Sequence, residues 1–385
     1  MVASKASDPD IAPFVGPVHL GECFVLWREG EIPLLGYLTP MERDEAAASG
    51  CRLLDPEVLQ VRQLRESLPS RTGGLAELLR RAFDAAGWAP GAIDLAGRSP
   101  SGDVVAAARE LEAEGWRFES GHASVLRRRK TKSEVELGAA RHAASGAASA
   151  LRAVAQLLAA AQPAGRDLLL EGEPLTIGRL RTAAAGALAA YGLDQPLGNI
   201  FALGRDAAVP HTSGPSERRV QRGESLIVDL FPCGALFADC TRTFCHGEAP
   251  PALAAAHARV LEALHLARRH LTAGKRGWDL QLEVCRHFED AGYPTPRSHP
   301  GTEAGYVHNL GHGVGYELHE LPSFREDAGG DGLLAADDLL TLEPGLYDPA
   351  AGWGVRLEDL LHLAGHGAEN LTPVPYELDP RAWSR

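Results

Sequence analysis

The chain has 385 residues, 45% of them hydrophobic, and a formal net charge of −13. This length suits two domains of ordinary size rather than one core. The negative charge disfavours a nucleic-acid or anionic-membrane surface, because binding to either depends on neutralising phosphates with Lys and Arg. We therefore expect a globular protein that binds neither nucleic acid nor membranes.

The N-terminal segment and the cysteines favour a cytoplasmic protein. Residues 1–20 have no apolar core flanked by basic residues, so they do not resemble a secretory signal. The Ala-rich stretch 143–161 contains Arg152 and Gln156 and is too weakly hydrophobic to be expected to span a bilayer. The six cysteines include no C-x-x-C pair, which favours reduced thiols over a zinc ribbon or disulfides.

The first part of the chain mixes strands and helices. Apolar runs and helical spacing predict strands at 24–27 and 33–37 and helices at 75–86 and 104–114. These elements predict an α/β domain of residues 1–128. The basic run 127–130 has no interleaved aromatic residue, so we interpret it as a solvated linker rather than a nucleic-acid patch.

The second predicted domain, residues 129–385, opens with a capping box. Ser133 and Glu136 have the S-x-x-E spacing that begins a helix, here a long Ala-rich one reaching about Ala161. Further helices are predicted over 175–191, from 250 to near 274 and over 279–291, with strands concentrated in 199–245 and before 363. Because helices and strands do not alternate regularly, the fold class is α/β in the broad sense that includes α+β.

Four acids and one histidine interrupt apolar or glycine-rich sequence in this domain: Asp229, Asp239, His312, Glu343 and Glu358. Asp229, Glu343 and Glu358 lie in runs that resemble buried strands, and Asp229 and Asp239 would lie on adjacent strands of a hairpin. Each acid alone could be a strand-end residue or a salt-bridge partner. Burying several ionised carboxylates costs several kcal/mol each unless positive charge compensates. An oxygen-rich set with one imidazole suits a pair of Mn²⁺, Co²⁺, Fe²⁺ or Zn²⁺ ions.

Four motifs in order carry a family resemblance. They are Val228-Asp229-Leu230 with Ala238 to Thr243, Gly311-His312-Gly313 with His319 to Pro322, Leu342-Glu343-Pro344-Gly345, and Arg356-Leu357-Glu358-Asp359. This set resembles the pita-bread metallopeptidases, which include prolidase, aminopeptidase P and methionine aminopeptidase. The resemblance implies a C-terminal pita-bread catalytic domain. The first domain resembles, more weakly, the creatinase-like N-terminal domain of prolidases and aminopeptidases P, which favours the Xaa-Pro branch.

The resemblance also implies roles for the five residues. Asp229 would chelate one metal ion, Asp239 and Glu358 would bridge both ions, and His312 with Glu343 would hold the other. A hydroxide between the ions, with Mn²⁺ the first expectation, would attack the peptide bond. Glu343 would also carry the proton to the leaving nitrogen.

Four further residues receive roles on the same basis. His319 would donate to the scissile carbonyl oxygen, and His211 would line the pocket near the leaving group, with a structural core histidine as the alternative for each. His308 could contact the substrate. Arg356 could orient acids or substrate through a fork of hydrogen bonds, with a structural salt bridge as the alternative.

The implied activity is hydrolysis of the Xaa-Pro bond of dipeptides or at the N-terminus of short peptides, by a homodimer. A creatinase-type C–N hydrolase and a non-catalytic peptide- or partner-binding protein are the alternatives. The chain departs from the family at two places. The span from Asp229 to Asp239 is one residue shorter than in typical members, and Ser323 stands where many prolidases place an arginine, with Arg325 two residues later. The preference between dipeptides and longer peptides stays open.

Overall fold

A computed structural model of the chain describes residues 2–4, 8–67, 71–365 and 367–384. The chain divides into two compact units, residues 1–129 and 130–385, which we call the N-terminal unit and the C-terminal unit. Each unit contains both helices and strands, so the predicted mixed α/β class is confirmed.

The N-terminal unit is built on a four-stranded sheet. The strands are β1 (Val2–Ser4), β2 (Cys23–Leu26), β3 (Leu34–Tyr37), β4 (Arg52–Leu54), β5 (Ala92–Leu95) and β6 (Arg117–Ser120). The helices are α1 (Ala12–Val15), α2 (Arg43–Ala48), α3 (Val61–Ser67), α4 (Arg71–Ala86), α5 (Ser101–Glu112) and α6 (His122–Lys130). Strands β1 to β4 pair in chain order, antiparallel except for the parallel pair β3–β4, while β5 and β6 form a separate parallel pair. The two strands and two helices predicted in this region are confirmed.

The basic run 127–130 is helical, so its interpretation as a solvated linker is wrong. It forms the end of α6, and Arg129 is fully buried. Val125 and Arg129 stand four residues apart and therefore share the inner face of the helix. The buried guanidinium is compensated by Asp10, whose Oδ1 lies 3.1 Å from Arg129 Nη1.

The C-terminal unit carries most of the strands. They are β7 (Gln162–Ala164), β8 (Asp167–Leu170), β9 (Glu173–Pro174), β10 (Asn199–Leu203), β11 (Leu226–Leu230), β12 (Cys240–Phe244), β13 (His312–Gly313), β14 (Glu320–Ser323), β15 (Leu339–Leu342), β16 (Gly345–Asp348), β17 (Trp353–Arg356), β18 (Asp359–Ala364) and β19 (Gly367–Asn370). The helices are α7 (Glu134–Ala160), α8 (Ile177–Ala189), α9 (Pro251–His270) and α10 (Gly277–Glu289). All four helices were predicted, with ends that differ by a few residues. Short 3-10 helices occur at Pro40–Glu42, Asp206–Ala208, Glu326–Gly332 and Pro380–Ser384.

Helix α7 begins at the predicted capping box. The Ser133 main-chain N–H donates to Glu136 Oε2 at 2.7 Å, and the Glu136 N–H donates to Ser133 Oγ at 3.4 Å. The helix is long and apolar enough to meet a length and hydropathy test for a membrane span, with a mean hydropathy of 1.2 over its best window, half of which is buried. Its buried face, from Leu137 to Leu158, packs into the core of the C-terminal unit, as expected of a core helix.

Three strand systems position the acids. Strands β10, β11 and β12 form one antiparallel sheet, β14-β13-β15-β18-β19 form a second, and β16 and β17 form a hairpin. Glu343 lies where the chain leaves β15 for β16, and Glu358 lies where it leaves β17 for β18. The expectation that these two acids lie inside strands is therefore wrong: they occupy the two points where the chain passes between the second sheet and the hairpin. Asp229 is inside β11, Asp239 directly precedes β12, and His312 begins β13.

Candidate metal centre

Three of the predicted residues form the centre of a possible metal site. Asp239, His312 and Glu358 each offer a ligand atom, and these atoms all lie within 4.8 Å of one another. His312 Nε2 is 3.6 Å from Asp239 Oδ2 and also 3.6 Å from Glu343 Oε1, so Glu343 joins the same cluster. Asp239 and Glu358 are buried.

Asp229 joins the cluster through Arg356. Arg356 Nη2 donates to Asp229 Oδ2 at 2.6 Å, and both side chains are buried. The other oxygen of Asp229, and Oδ1 of Asp239, are buried and have no hydrogen-bond partner in the described part of the chain. Buried polar atoms are almost always paired, so two orphaned carboxylate oxygens in one cluster indicate that a cation belongs there.

The electrostatics of the acids lead to the same conclusion. Burial, and then the charges of the neighbouring acids, raise the pKa values of Asp239 and Glu358 well above their ordinary range. Burial raises the pKa of Glu343 to about 8; the charge of Arg356 opposes this shift and that of Asp229 adds to it. The site therefore cannot keep all its carboxylates ionised at neutral pH without additional positive charge.

The imidazole of His312 is arranged as a neutral ligand. Burial, followed by the nearby His319, lowers the pKa of His312 to about 3. Its Nδ1 lies 3.0 Å from the main-chain oxygen of Gly313, which can only accept, so the proton is on Nδ1. The Nε2 lone pair is then left for the acid cluster, which is the tautomer that a metal ligand needs. Four carboxylates and one such imidazole fit a pair of divalent ions.

His319 and His211 are both exposed. The ring of His319 meets that of His312 edge to face, with the centroids 4.3 Å apart. Burial and the neighbouring His211 lower the pKa of His319. The structure thus places His319 beside His312 and close enough to His211 and Asp229 to be affected by their charges.

His308 is held by the protein through both ring nitrogens. Its Nδ1 lies 2.8 Å from the Asn309 main-chain oxygen, and its Nε2 lies 2.9 Å from the Tyr347 hydroxyl. Burial lowers the pKa of His308 to about 3. Direct contact with a substrate would therefore require one of these bonds to break.

Arg356 uses its donors on protein groups. Besides Asp229, it donates through Nη1 to the Tyr347 hydroxyl at 3.0 Å and to the Pro210 main-chain oxygen at 3.1 Å, and through Nε to Thr241 Oγ1 at 3.3 Å. This is the arrangement of a residue that orients an acid.

Two residues of the site were not anticipated. The Thr241 hydroxyl donates to Glu358 Oε2 at 2.7 Å, and Tyr347 connects His308 to Arg356. Thr241 could have been found, because it stands two residues after Asp239 and alternate residues of an extended segment share a face. No pattern in the sequence pointed to Tyr347 in the same way.

Sequence comparison now identifies the family. The model of metallopeptidase family M24 matches residues 139–364, more than half of the chain and a span that contains all five clustered residues. The chain belongs to metallopeptidase family M24. The predicted family resemblance is confirmed.

Several M24 relatives align with part of this chain. The Xaa-Pro dipeptidase of Pyrococcus furiosus is 32% identical over 183 residues, which are 46% of this chain and 48% of that protein. The putative dipeptidase YkvY of Bacillus subtilis is 34% identical over 180 residues, 46% of this chain and 45% of that protein. In these alignments the chain spans about half the length of the curated relatives.

Solved structures match over nearly the whole chain. The prolidase of Pyrococcus horikoshii has a TM-score of 0.73 at 20% identity and covers 98% of this chain and 94% of its own. The X-Pro aminopeptidase of Thermotoga maritima has a TM-score of 0.73 at 21% identity and covers 98% of this chain and 96% of its own. These matches confirm the predicted fold.

The structure describes both places where the sequence was expected to depart from the family pattern, the span from Asp229 to Asp239 and the region of Ser323 and Arg325. The shorter span keeps a regular hairpin, in which Leu230 pairs with Cys240 and Asp229 with Thr241. Arg325 is exposed, and its Nε lies 3.0 Å from Asp327 Oδ1. Arg325 is thus engaged with its own loop.

Proposed function

We propose that this chain is a dinuclear-metal exopeptidase that hydrolyses the Xaa-Pro bond of dipeptides or at the N-terminus of short peptides. The observation that carries the proposal is the buried cluster of four acids and His312, with its raised carboxyl pKa values and two orphaned oxygens. The relatives that are named Xaa-Pro dipeptidase support this substrate class.

The five clustered residues would hold two divalent ions, with Asp239 and Glu358 shared between them, Asp229 on one ion, and His312 and Glu343 on the other. When bound, the ions would supply a water of lowered pKa and Lewis-acid stabilisation of the substrate carbonyl. We propose Mn²⁺, because a donor set dominated by carboxylates suits this ion. Co²⁺, Zn²⁺ and Fe²⁺ are the other ions to test.

The remaining residues would handle the proton and the substrate. A carboxylate oxygen of Glu343 would take the proton of the attacking water and deliver it to the leaving nitrogen. An imidazole N–H of His319 would donate to the scissile carbonyl oxygen, where negative charge develops. His211 would line the pocket on the leaving-group side.

Arg356 and His308 would act near these groups. Arg356 would hold Asp229 in place through the bond at 2.6 Å. His308 would contact substrate only after giving up its bond to Tyr347, so we assign it to the wall of the substrate pocket.

The test is metal analysis followed by rates on a peptide panel. Metal-depleted protein is loaded with each ion and assayed on Ala-Pro, Ala-Pro-Pro, a Met-peptide and creatine. We expect metal-dependent cleavage of the Xaa-Pro substrates. Glu358→Ala should abolish it, and His319→Ala should lower kcat by about 100- to 1,000-fold, the range for loss of one oxyanion donor. His299→Ala, an exposed histidine on another loop, is the matched control.

Three results would refute the proposal. They are full peptidase activity without metal, unchanged activity in Glu358→Ala, and turnover of creatine alone. A folded protein that bound metal but cleaved no peptide would favour a binding role instead.

We further propose that the protein is a cytoplasmic homodimer. All six cysteines are free thiols, which suits a reducing compartment. The dimer rests on the family resemblance and is tested by light scattering of the purified protein.

A further inference from the structure

A fully buried arginine lies behind Glu358. Arg242 on β12 has no solvent exposure, and its Nη1 donates to the main-chain oxygens of Glu358 at 2.6 Å and Thr241 at 2.9 Å. A guanidinium is tolerated in such a place only when its donors are satisfied. Both bonds go to residues of the candidate metal centre, Glu358 and Thr241.

The charge of Arg242 is balanced by Asp359, the residue that follows Glu358. Arg242 Nη2 donates to Asp359 Oδ1 at 2.7 Å, and neither side chain is exposed. Asp359 Oδ2 accepts from Asn370 Nδ2 at 2.9 Å and from the Tyr376 hydroxyl at 2.5 Å. The ring of Tyr376 also stacks on the guanidinium, 4.4 Å from ring centroid to Cζ.

These contacts tie a distant segment to the site. Arg242 also donates to the main-chain oxygens of Val374 at 3.1 Å and Pro375 at 2.9 Å. Together with Asn370 and Tyr376, they define a segment of residues 370–376, which we call the tail. The tail lies beyond residue 364, where the match to the family ends.

We propose that Arg242, Asp359 and the tail form a positioning cluster that fixes Glu358 for metal binding. Within the cluster, Arg242 donates to the main-chain oxygen of Glu358, and the Thr241 hydroxyl donates to the Glu358 carboxylate at 2.7 Å. A ligand held in this way needs no reorganisation when the ion binds, and groups that orient a metal ligand commonly change affinity about 10- to 100-fold when removed. This inference rests on the proposed function, since it concerns the same metal centre.

The sharpest test is Tyr376→Phe in the full chain, titrated with Co²⁺. The substitution keeps the ring over Arg242 and removes the hydroxyl, which donates to Asp359 and accepts from Asn370 Nδ2 at 3.5 Å. We expect the apparent Kd for Co²⁺ to rise about 10-fold or more, and the visible absorption bands of bound Co²⁺ to change shape. Tyr37→Phe is the matched control, because the Tyr37 hydroxyl donates to Asp55 at the same 2.5 Å in the N-terminal unit.

A second variant, Arg242→Lys, keeps the buried charge but cannot reach both carbonyl oxygens and Asp359. It should weaken Co²⁺ binding more than Tyr376→Phe does, with circular dichroism confirming a folded protein. Tyr376→Phe with wild-type Co²⁺ affinity and spectrum would overturn the inference even if Arg242→Lys failed to fold. A wild-type protein that bound no Co²⁺ would instead overturn the proposed function, and this inference with it.

Discussion

Metal binding at neutral pH should displace protons from the acid cluster. With its pKa raised to about 8, Glu343 is mostly protonated at pH 7 in the metal-free protein. The pKa values of Asp239 and Glu358 are also raised, so these acids keep their protons to higher pH than ordinary carboxyl groups. Metal ligands must be deprotonated. Filling the site should therefore release about one proton from Glu343 at pH 7.

Isothermal titration calorimetry measures this release directly. The same Mn²⁺ titration at pH 7 is run in buffers of different ionisation enthalpy, and the slope of the observed enthalpy gives the number of protons. We expect Glu343→Gln to release about one proton fewer than the wild type. If the wild-type protein released no protons at pH 7, its acids would already be ionised without metal, and the argument from burial would be refuted.

Three other perturbations test local parts of the argument. Because the folded-state pKa of Glu343 is raised, its contribution to stability is present below about pH 4.5 and is lost as the pH rises through about 8. In this interval the free energy of unfolding of the metal-free wild type, measured in urea and compared with Glu343→Gln, should fall by up to about 1.4 kcal/mol per pH unit. Ser133→Ala should cost about 1 kcal/mol in urea unfolding through loss of the cap, whereas Ser145→Ala, on the exposed face of the same helix, should cost under about 0.5 kcal/mol. Gly313→Ala places a Cβ 1.9 Å from a main-chain oxygen and should abolish Co²⁺ binding, while Gly330→Ala, which meets nothing within 4 Å, should leave it unchanged.

The clustered acids and His312 were predictable because their signal is local. A charged residue inside an apolar run is unusual enough to indicate burial, and the order of the motifs then assigned Asp229, Asp239 and His312 together. Their supporting partners were not predictable in the same way. Thr241 and Glu358 are 117 residues apart, as are Arg242 and Asp359, and no local pattern reports a hydrogen bond across that distance.

For the fold too, features encoded by neighbouring residues were predictable, whereas features that depend on residues distant in the sequence were not. Helix α7 was predictable because the capping box and the apolar period are both encoded within a few residues. The strand ends at Glu343 and Glu358 were not, because an apolar run does not reveal where the chain changes its pairing partner. Arg129 escaped prediction for a related reason: its compensating acid, Asp10, is 119 residues away.

The balance of charge explains why two ions suit this site better than one. Four carboxylates and the guanidinium of Arg356 have a formal net charge of −3 when all are ionised, while His312 is neutral. One divalent ion would leave the buried cluster at −1, which still favours retention of a proton on one of the acids. Two divalent ions would bring the charge of the cluster to +1. Every carboxylate could then be ionised, and negative charge that develops on the substrate during the reaction would be attracted. The second ion should therefore release the last proton, and the acids can all act as ligands only when both ions are bound.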